Sequence, residues 1–288
     1  MILQFIINGF ITGLIYALVA IAFGFTYNTT RIFHIAYAGV LVGGSYIFLL
    51  FSRIGFPIAI AITLTLLACG FLNLLIEKTI YLPMEKRRNS LNTIMVASIG
   101  LFTVLINLIA MIFGNENQTL TNEISRSFSF GNIIITRMQM LQLVISSVCI
   151  GTILIILSKS RWGLNIKALS NNRELFSVLG NDAIRLRSLL TFTSGVIAAV
   201  VSLLLAYDVG FDPYFGMPLL LNALIVMILG GTGSFYGSFL GGILLGIIQS
   251  LSVFFFEARW ETAISFVILI LMLIFRPQGL FGEKQRAV

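Results

Sequence analysis

Few side chains in this 288-residue chain have the types and spacing for acid–base, nucleophilic or metal chemistry. His34 is its one histidine. An imidazole titrates near neutrality, so it can relay protons; the plainer reading is an interfacial hydrogen-bonding residue near the inner end of the second apolar segment. The two cysteines, Cys69 and Cys149, lack C-x-x-C spacing and read as inert apolar thiols. The carboxylate pairs Asp208/Asp212 and Glu257/Glu261 fall in short connections and read as solvated rims. Phosphate-loop, G-x-S-x-G and H-E-x-x-H patterns are all missing. No catalytic residue, no metal site and no cofactor bound by this chain is therefore expected.

The elements that must hold these residues follow from charge. Lys and Arg number 18 and Asp and Glu 11, so 10% of residues are charged against roughly 25% in soluble domains. With 58% hydrophobic residues, such a chain cannot clothe a water-soluble surface. A helix needs ~20 mostly apolar residues to cross the hydrocarbon core. Eight uncharged runs meet or approach this: 1–30, 32–52, 54–76, 89–115, 138–158, 188–207, 213–256 and 262–275. The seventh is 44 residues long and carries the stretch Gly230 to Gly237 where a turn would fall, giving two crossings. The expectation is an all-α polytopic bundle of about nine spans, within a range of eight to ten. The first run lacks a basic start and reads as a span rather than a secretion signal. One transmembrane domain over 1–288 follows, with its largest inner loop at 158–187.

The basic residues orient the bundle, because cytoplasmic loops carry the excess. With nine spans and the N-terminus outside, fourteen of the eighteen fall on the inner side, including Arg31, Lys78, Lys86, Arg87, Arg88, Arg173, Arg185, Arg187, Arg276, Lys284 and Arg286. Arg53, Arg126, Arg137 and Arg259 fall outside, and the C-terminus is cytoplasmic. The net charge of +7 is thus a topology signal, and no nucleic-acid partner is expected.

No Asp, Glu, Lys or Arg lies inside these runs, so apart from His34 no side chain there offers to bind a coupling proton, and sodium held by backbone carbonyls stays open. Small residues four apart let helices approach closely in lipid, as at Gly9/Gly13, Gly39/Gly43, Gly233/Gly237/Gly241 and Gly242/Gly246. Close packing suffices for Gly9/Gly13. For Ala36–Tyr46 and Gly230–Gly246, packing stands beside a translocation path, since interrupted Gly-rich segments point to one. In the inner loop, Trp162, Leu164, Ile166, Leu169, Leu175, Phe176, Val178 and Leu179 alternate with polar residues up to Gly180. That is the pattern of one or two short amphipathic helices, lying on lipid or docking a partner.

At this loop and the Gly-rich segments the chain resembles the permease subunits of ATP-binding-cassette importers for branched-chain amino acids. The family's "A-x-x-N-x-x-x-A-x-x-L-G-I-N-x-x-R" is similar to Ala168-Leu169-Ser170-Asn171-Asn172-Arg173-Glu174-Leu175-Phe176-Ser177-Val178-Leu179-Gly180-Asn181-Asp182-Ala183-Ile184-Arg185. Its "L-G-G-x-G-S-x-x-G-x-x-x-G-G" resembles Leu229 to Gly242, and its "R-P-x-G-L-x-G" resembles Arg276 to Gly282. Where the family tends to read "N-F-A-H-G-E", this chain has His34-Ile35-Ala36-Tyr37-Ala38-Gly39.

The resemblance implies a multi-pass plasma-membrane permease of a bacterium or archaeon, itself not an enzyme. Its partners would be a second, homologous permease, two cytoplasmic ATP-binding subunits that use the ATP, an extracytoplasmic substrate-binding protein and membrane lipid. It implies ATPase docking through Leu164, Leu169, Asn171, Arg173, Leu175, Phe176, Leu179 and Gly180. His34, Tyr37, Gly39, Gly43, Gly44, Ser45, Asn222, Gly230, Gly231, Gly233, Gly237 and Gly241 would line the path or pack its helices. Permeases for urea, short amides or sugars share the pattern, and a stand-alone facilitator or channel shares the uncharged runs. Asn8, Thr12, Asn73, Asn107, Asn222 and Gln249 are the polar groups available to a substrate's charged ends or to interhelical hydrogen bonds.

Overall fold

In the computed structural model, residues 2–120, 127–130 and 133–282 are described; Arg126, Lys284 and Arg286 lie outside them. Lipid offers no hydrogen bonds, so a crossing segment must satisfy its backbone internally, and the apolar runs form helices. These are α1 (Ile2–Thr30), α2 (Tyr37–Ile54), α3 (Ile58–Ile76) and α5 (Leu91–Phe113), then α6 (Arg137–Lys159), α9 (Ala183–Asp208), α10 (Gly216–Gly230), α11 (Phe235–Phe255) and α12 (Glu261–Phe275). A π-turn at Glu77–Tyr81 joins α3 to the short α4 (Leu82–Lys86), so one apolar helix runs from Ile58 to Lys86. Among the described residues eight helices are long and apolar enough to cross a membrane, and Gly216–Gly230 is a shorter ninth, about 22 Å at 1.5 Å per residue. The long run 213–256 does divide at the Gly-rich turn.

Several boundaries follow local chemistry. Ser90, Thr136, Asp182 and Ser234 each accept a backbone N–H with their side-chain oxygen and start α5, α6, α9 and α11. The inner loop folds as α7 (Arg161–Asn171) and α8 (Arg173–Val178), with Asn172 capping α8 through Leu175 N–H at 2.9 Å. A hairpin of β1 (Ser127–Phe130) and β2 (Ile133–Thr136) pairs Ser127 with Thr136.

The chain forms two compact units: Met1–Gly24, Glu123–Ser160 and Leu221–Val288 make one, Phe25–Asn122 and Arg161–Leu220 the other. In the first, α11 packs on α12 and α6. A Cβ at Gly9 would lie 2.6 Å from the Gly246 carbonyl oxygen, and one at Gly13 2.6 Å from that of Gly242. The two small-residue pairs therefore face each other, as close packing requires. In the second unit α2, α3 and α9 pack mutually and α5 lies on α2. At one end of that unit Arg31 donates to the Ser170 carbonyl at 3.2 Å. At the other, Gln118 and Phe211 exchange backbone hydrogen bonds and Tyr214 donates to Asn115 at 3.4 Å.

The uncharged runs understate the helices. Glu77, Lys78, Glu85 and Lys86 belong to the helix that begins at Ile58, and Arg185 and Arg187 to α9. Glu77 and Arg187, expected in loops, are each 1% exposed. Opposite charges can be buried when paired, so a helix need not end at its first charged residue.

Candidate functional site

The second unit contains a buried polar ladder built on α3, the π-turn and α9. Its first part centres on His34, which is fully buried rather than interfacial. Asn73 Nδ2 donates to the Thr191 carbonyl at 2.8 Å, leaving Asn73 Oδ1 facing His34 Nε2 at 2.7 Å. That oxygen only accepts, so Nε2 carries the proton. His34 Nδ1 then accepts from Tyr81 Oη at 2.6 Å, and Tyr81 Oη lies 2.8 Å from Ser98 Oγ, which accepts the Ala36 N–H at 2.9 Å. Burial pushes the imidazole down to about 4, outweighing the Asn73 hydrogen bond that favours the charged form. A neutral imidazole that bonds through both nitrogens is a structural hub joining the segment before α2 to α3, the π-turn and α5.

The second part carries charge. Glu77 Oε1 lies 2.6 Å from Arg187 Nε, an ion pair whose alignment falls short of a directed hydrogen bond. Thr191 Oγ1 donates to Glu77 Oε2. Arg187 Nη1 donates to Glu85 Oε2 at 2.5 Å, and Arg173 pairs with the other Glu85 oxygen. The alternating order Glu77, Arg187, Glu85, Arg173 runs from a fully buried end to side chains about a third exposed. Composition pointed to none of this, because a search for uncharged runs discards the charges that bound them. The usable signal was the spacing of Asn73, Glu77 and Tyr81, four apart and so on one helical face.

Nearby, Tyr37 Oη donates to the Ser194 carbonyl at 3.0 Å and Ser202 Oγ to Ser45 Oγ at 3.2 Å. A Cβ on Gly44 would meet the Ser202 side chain at 2.8 Å, and one on Gly39 would meet Leu105 at 2.8 Å. A Cβ on Gly43 would meet nothing nearer than Leu72, at 3.8 Å.

In the first unit, Gly230 and Gly237 touch backbone to backbone, so neither site has room for a Cβ. Gly231, at φ 102°, lies against the C-terminal segment: its Cβ would fall 2.5 Å from the Gly282 nitrogen. Leu280 and Phe281 donate their N–H groups to the Leu229 and Gly230 carbonyls at 2.8 and 3.0 Å. The two glycine-rich motifs are thus halves of one contact. A Cβ on Gly241 would lie 3.0 Å from the Val226 carbonyl oxygen, and Gly233 turns at φ 102° with open space around it. Asn222 Oδ1 accepts from Gln249 Nε2 at 3.1 Å, and Gln249 also donates to Ser265 at 2.5 Å.

The inner-loop residues divide by exposure. Leu164, Leu175 and Leu179 are 69%, 60% and 70% exposed, and Val178 and Trp162 share that outward character. Asn171 and Gly180 are also exposed, with Gly180 at φ 84° ending α8. Leu169 and Phe176 are buried at 3% and 4%, so they anchor α7 and α8 and present no surface of their own. Asp212 holds a turn by accepting the Tyr214 N–H at 2.6 Å, and exposed Glu257 pairs with Arg259. Cys69 is buried and Cys149 partly so, both as free thiols.

Among the described residues, eight helices long and apolar enough to cross a membrane, with the shorter Gly216–Gly230 beside them, define a multi-pass membrane protein. The chain belongs to the branched-chain amino acid transport system / permease component family, whose model matches residues 5–273. The high-affinity branched-chain amino acid transport system permease protein LivH of Escherichia coli K12 is 27% identical over 299 residues, covering 98% of this chain and 96% of that protein. BraD of Pseudomonas aeruginosa, of the same description, is 26% identical over 298 residues with the same coverage. The probable LivH of Methanocaldococcus jannaschii is 24% identical over 278 residues, 92% of this chain and 88% of its own. The structure of PsaBC from Streptococcus pneumoniae in complex with Fab shares the fold, with a TM-score of 0.50 and 14% identity over 95% of this chain and 92% of that one.

Proposed function

We propose that this chain is the membrane-spanning subunit of an ATP-driven importer and forms part of the path for branched-chain or related hydrophobic amino acids. The observation that carries the reading is end-to-end similarity to LivH and BraD at 98% of the chain. A second, homologous permease completes the path, two ATP-binding subunits hydrolyse the ATP, and an extracytoplasmic binding protein delivers substrate. No cofactor is bound by this chain. ATP acts by favouring one state of the permease pair over the other, which requires the ATPases to bind the two states unequally.

The N-terminus lies outside and the C-terminus in the cytoplasm. Fourteen of eighteen basic residues support this orientation. Within the second unit, contacts of Arg31 with Ser170 and of Glu85 with Arg173 and Arg187 join segments assigned to the inner side. Leu164, Leu175, Val178 and Leu179 form the apolar face that meets an ATP-binding subunit, positioned by Leu169, Phe176 and Arg173. Asn171 and Gly180 shape the ends of the two helices.

The test is uptake of labelled leucine by proteoliposomes holding the complete complex. Uptake that requires ATP and the binding protein supports the reading. Downhill flux by the purified chain alone, independent of ATP and partners, makes it a facilitator instead.

A further inference from the structure

Two carboxylates on one helix reach the same arginine, and regular helical geometry does not place them there. Glu77 and Glu85 are eight residues apart. In an α-helix eight residues make 2.2 turns and leave the side chains about 80° apart. The π-turn Glu77–Tyr81 absorbs one residue, so the eight count as seven and the offset shrinks to about 20°. Both acids then face α9, one on Arg187 Nε and one on Nη1.

Beyond Arg187 the ladder continues through Glu85 to Arg173, the first residue of α8. The covalent route from α8 to α9 is Leu179 to Asp182, all exposed, with Gly180 free of neighbours within 4 Å of a Cβ. Such a connection bends more readily than it pushes. Arg31 ties the preceding helix at Ser170, but Glu85 alone among the described residues holds arginines of both α8 and α9.

The rungs differ in strength. Glu77 and Arg187 are buried, so separating them strands charges away from water. Glu85 and Arg173 are about a third exposed and are screened. The outer rung can therefore exchange while the inner rung keeps α3 and α9 in register.

We infer that Glu85 is a coupling residue, which positions α8 against α9 and the Ile58–Lys86 helix so that displacement of α8 moves both helices together. This rests on the reading above that α8 meets an ATP-binding subunit.

The experiment uses the complete complex in proteoliposomes and reads leucine imported per ATP hydrolysed. Glu85→Gln keeps the shape and removes the charge; Lys86→Gln, a charge change at the exposed next residue of the same helix, is the control. The expected result is a fall of about fivefold in the ratio for Glu85→Gln, of the order a partly exposed charge pair supplies. Lys86→Gln should leave the ratio where it was, and Glu85→Asp should recover part of it. An unchanged ratio in an intact Glu85→Gln complex overturns the inference. So does failure of both Glu85 variants to assemble, since that marks a merely structural role. If the native complex shows no ATP-dependent uptake, the importer reading itself has failed, which the native arm reveals before any variant is compared.

Discussion

Glu77 at the start of the π-turn and Arg187 of α9 face each other at 2.6 Å, each 1% exposed, with Thr191 donating to the second carboxylate oxygen. Removing one member of such a pair leaves an uncompensated buried charge, which costs about 3–5 kcal/mol. Arg187→Met should therefore lower the unfolding midpoint of the detergent-solubilised chain by about 10 °C. Adding Glu77→Gln should restore at least half of the loss, because the stranded carboxylate is gone. A double variant no more stable than Arg187→Met would show that the pair is not the source of the effect.

His34 makes stability depend on pH in a defined direction. Its pKa is about 4 in the folded chain and 6.5 ordinarily. Between those values the unfolded chain binds a proton that the folded chain refuses, so stability rises with pH there. The contribution is complete above 6.5 and is lost as pH falls toward 4, a change on the order of 3 kcal/mol. His34→Gln should be less stable at neutral pH and should flatten the difference between pH 4.5 and 7. The check is the unfolding midpoint of both proteins at each pH; equal slopes would remove His34 as the cause.

Charge placement and small-residue spacing made the number of helices and the Gly9/Gly13 packing legible from sequence. Lipid forces both: helices must be long and apolar, and they must touch through small residues. The polar ladder was illegible for a related reason. Glu77 and Arg187 sit at the margins of apolar runs, where a charge reads as solvent until its partner on a distant segment is known. His34 showed itself as a hydrogen-bonding residue, but Asn73 and Tyr81 are 39 and 47 positions away. In the loop, alternation pointed to one or two short helices, yet it could not tell that Phe176 turns inward while Leu175 beside it turns out.

The glycine contacts make contrasting predictions. Gly237→Ala places a methyl against the Gly230 backbone, where nothing can give way, and overpacking of this kind costs about 1–3 kcal/mol or more. Gly43→Ala meets nothing nearer than 3.8 Å and replaces a helical glycine, so a gain of up to ~1 kcal/mol is expected. Comparing the yield of monodisperse protein after mild heating separates them. Equal tolerance at both positions would contradict the observed approach of Gly230 and Gly237.

The exposed and buried halves of α8 should fail in different ways. Phe176 is 4% exposed, so Phe176→Ala empties a packed site and costs the chain itself about 3–5 kcal/mol, visible without any partner present. Leu175 and Val178 are 60% and 84% exposed, so Leu175→Asp with Val178→Asp should leave the isolated chain's midpoint within ~1 kcal/mol of native. In the complex the same pair of aspartates buries charge against an apolar partner surface, and recovery of the ATP-binding subunits with the tagged chain should drop at least tenfold. Both readouts come from one purification, before and after co-expression. Full recovery of the ATP-binding subunits with the double aspartate variant would place their contact elsewhere on the chain. Loss of recovery with Phe176→Ala at a temperature where that variant is still folded would instead make the buried anchor the element that sets the docking geometry.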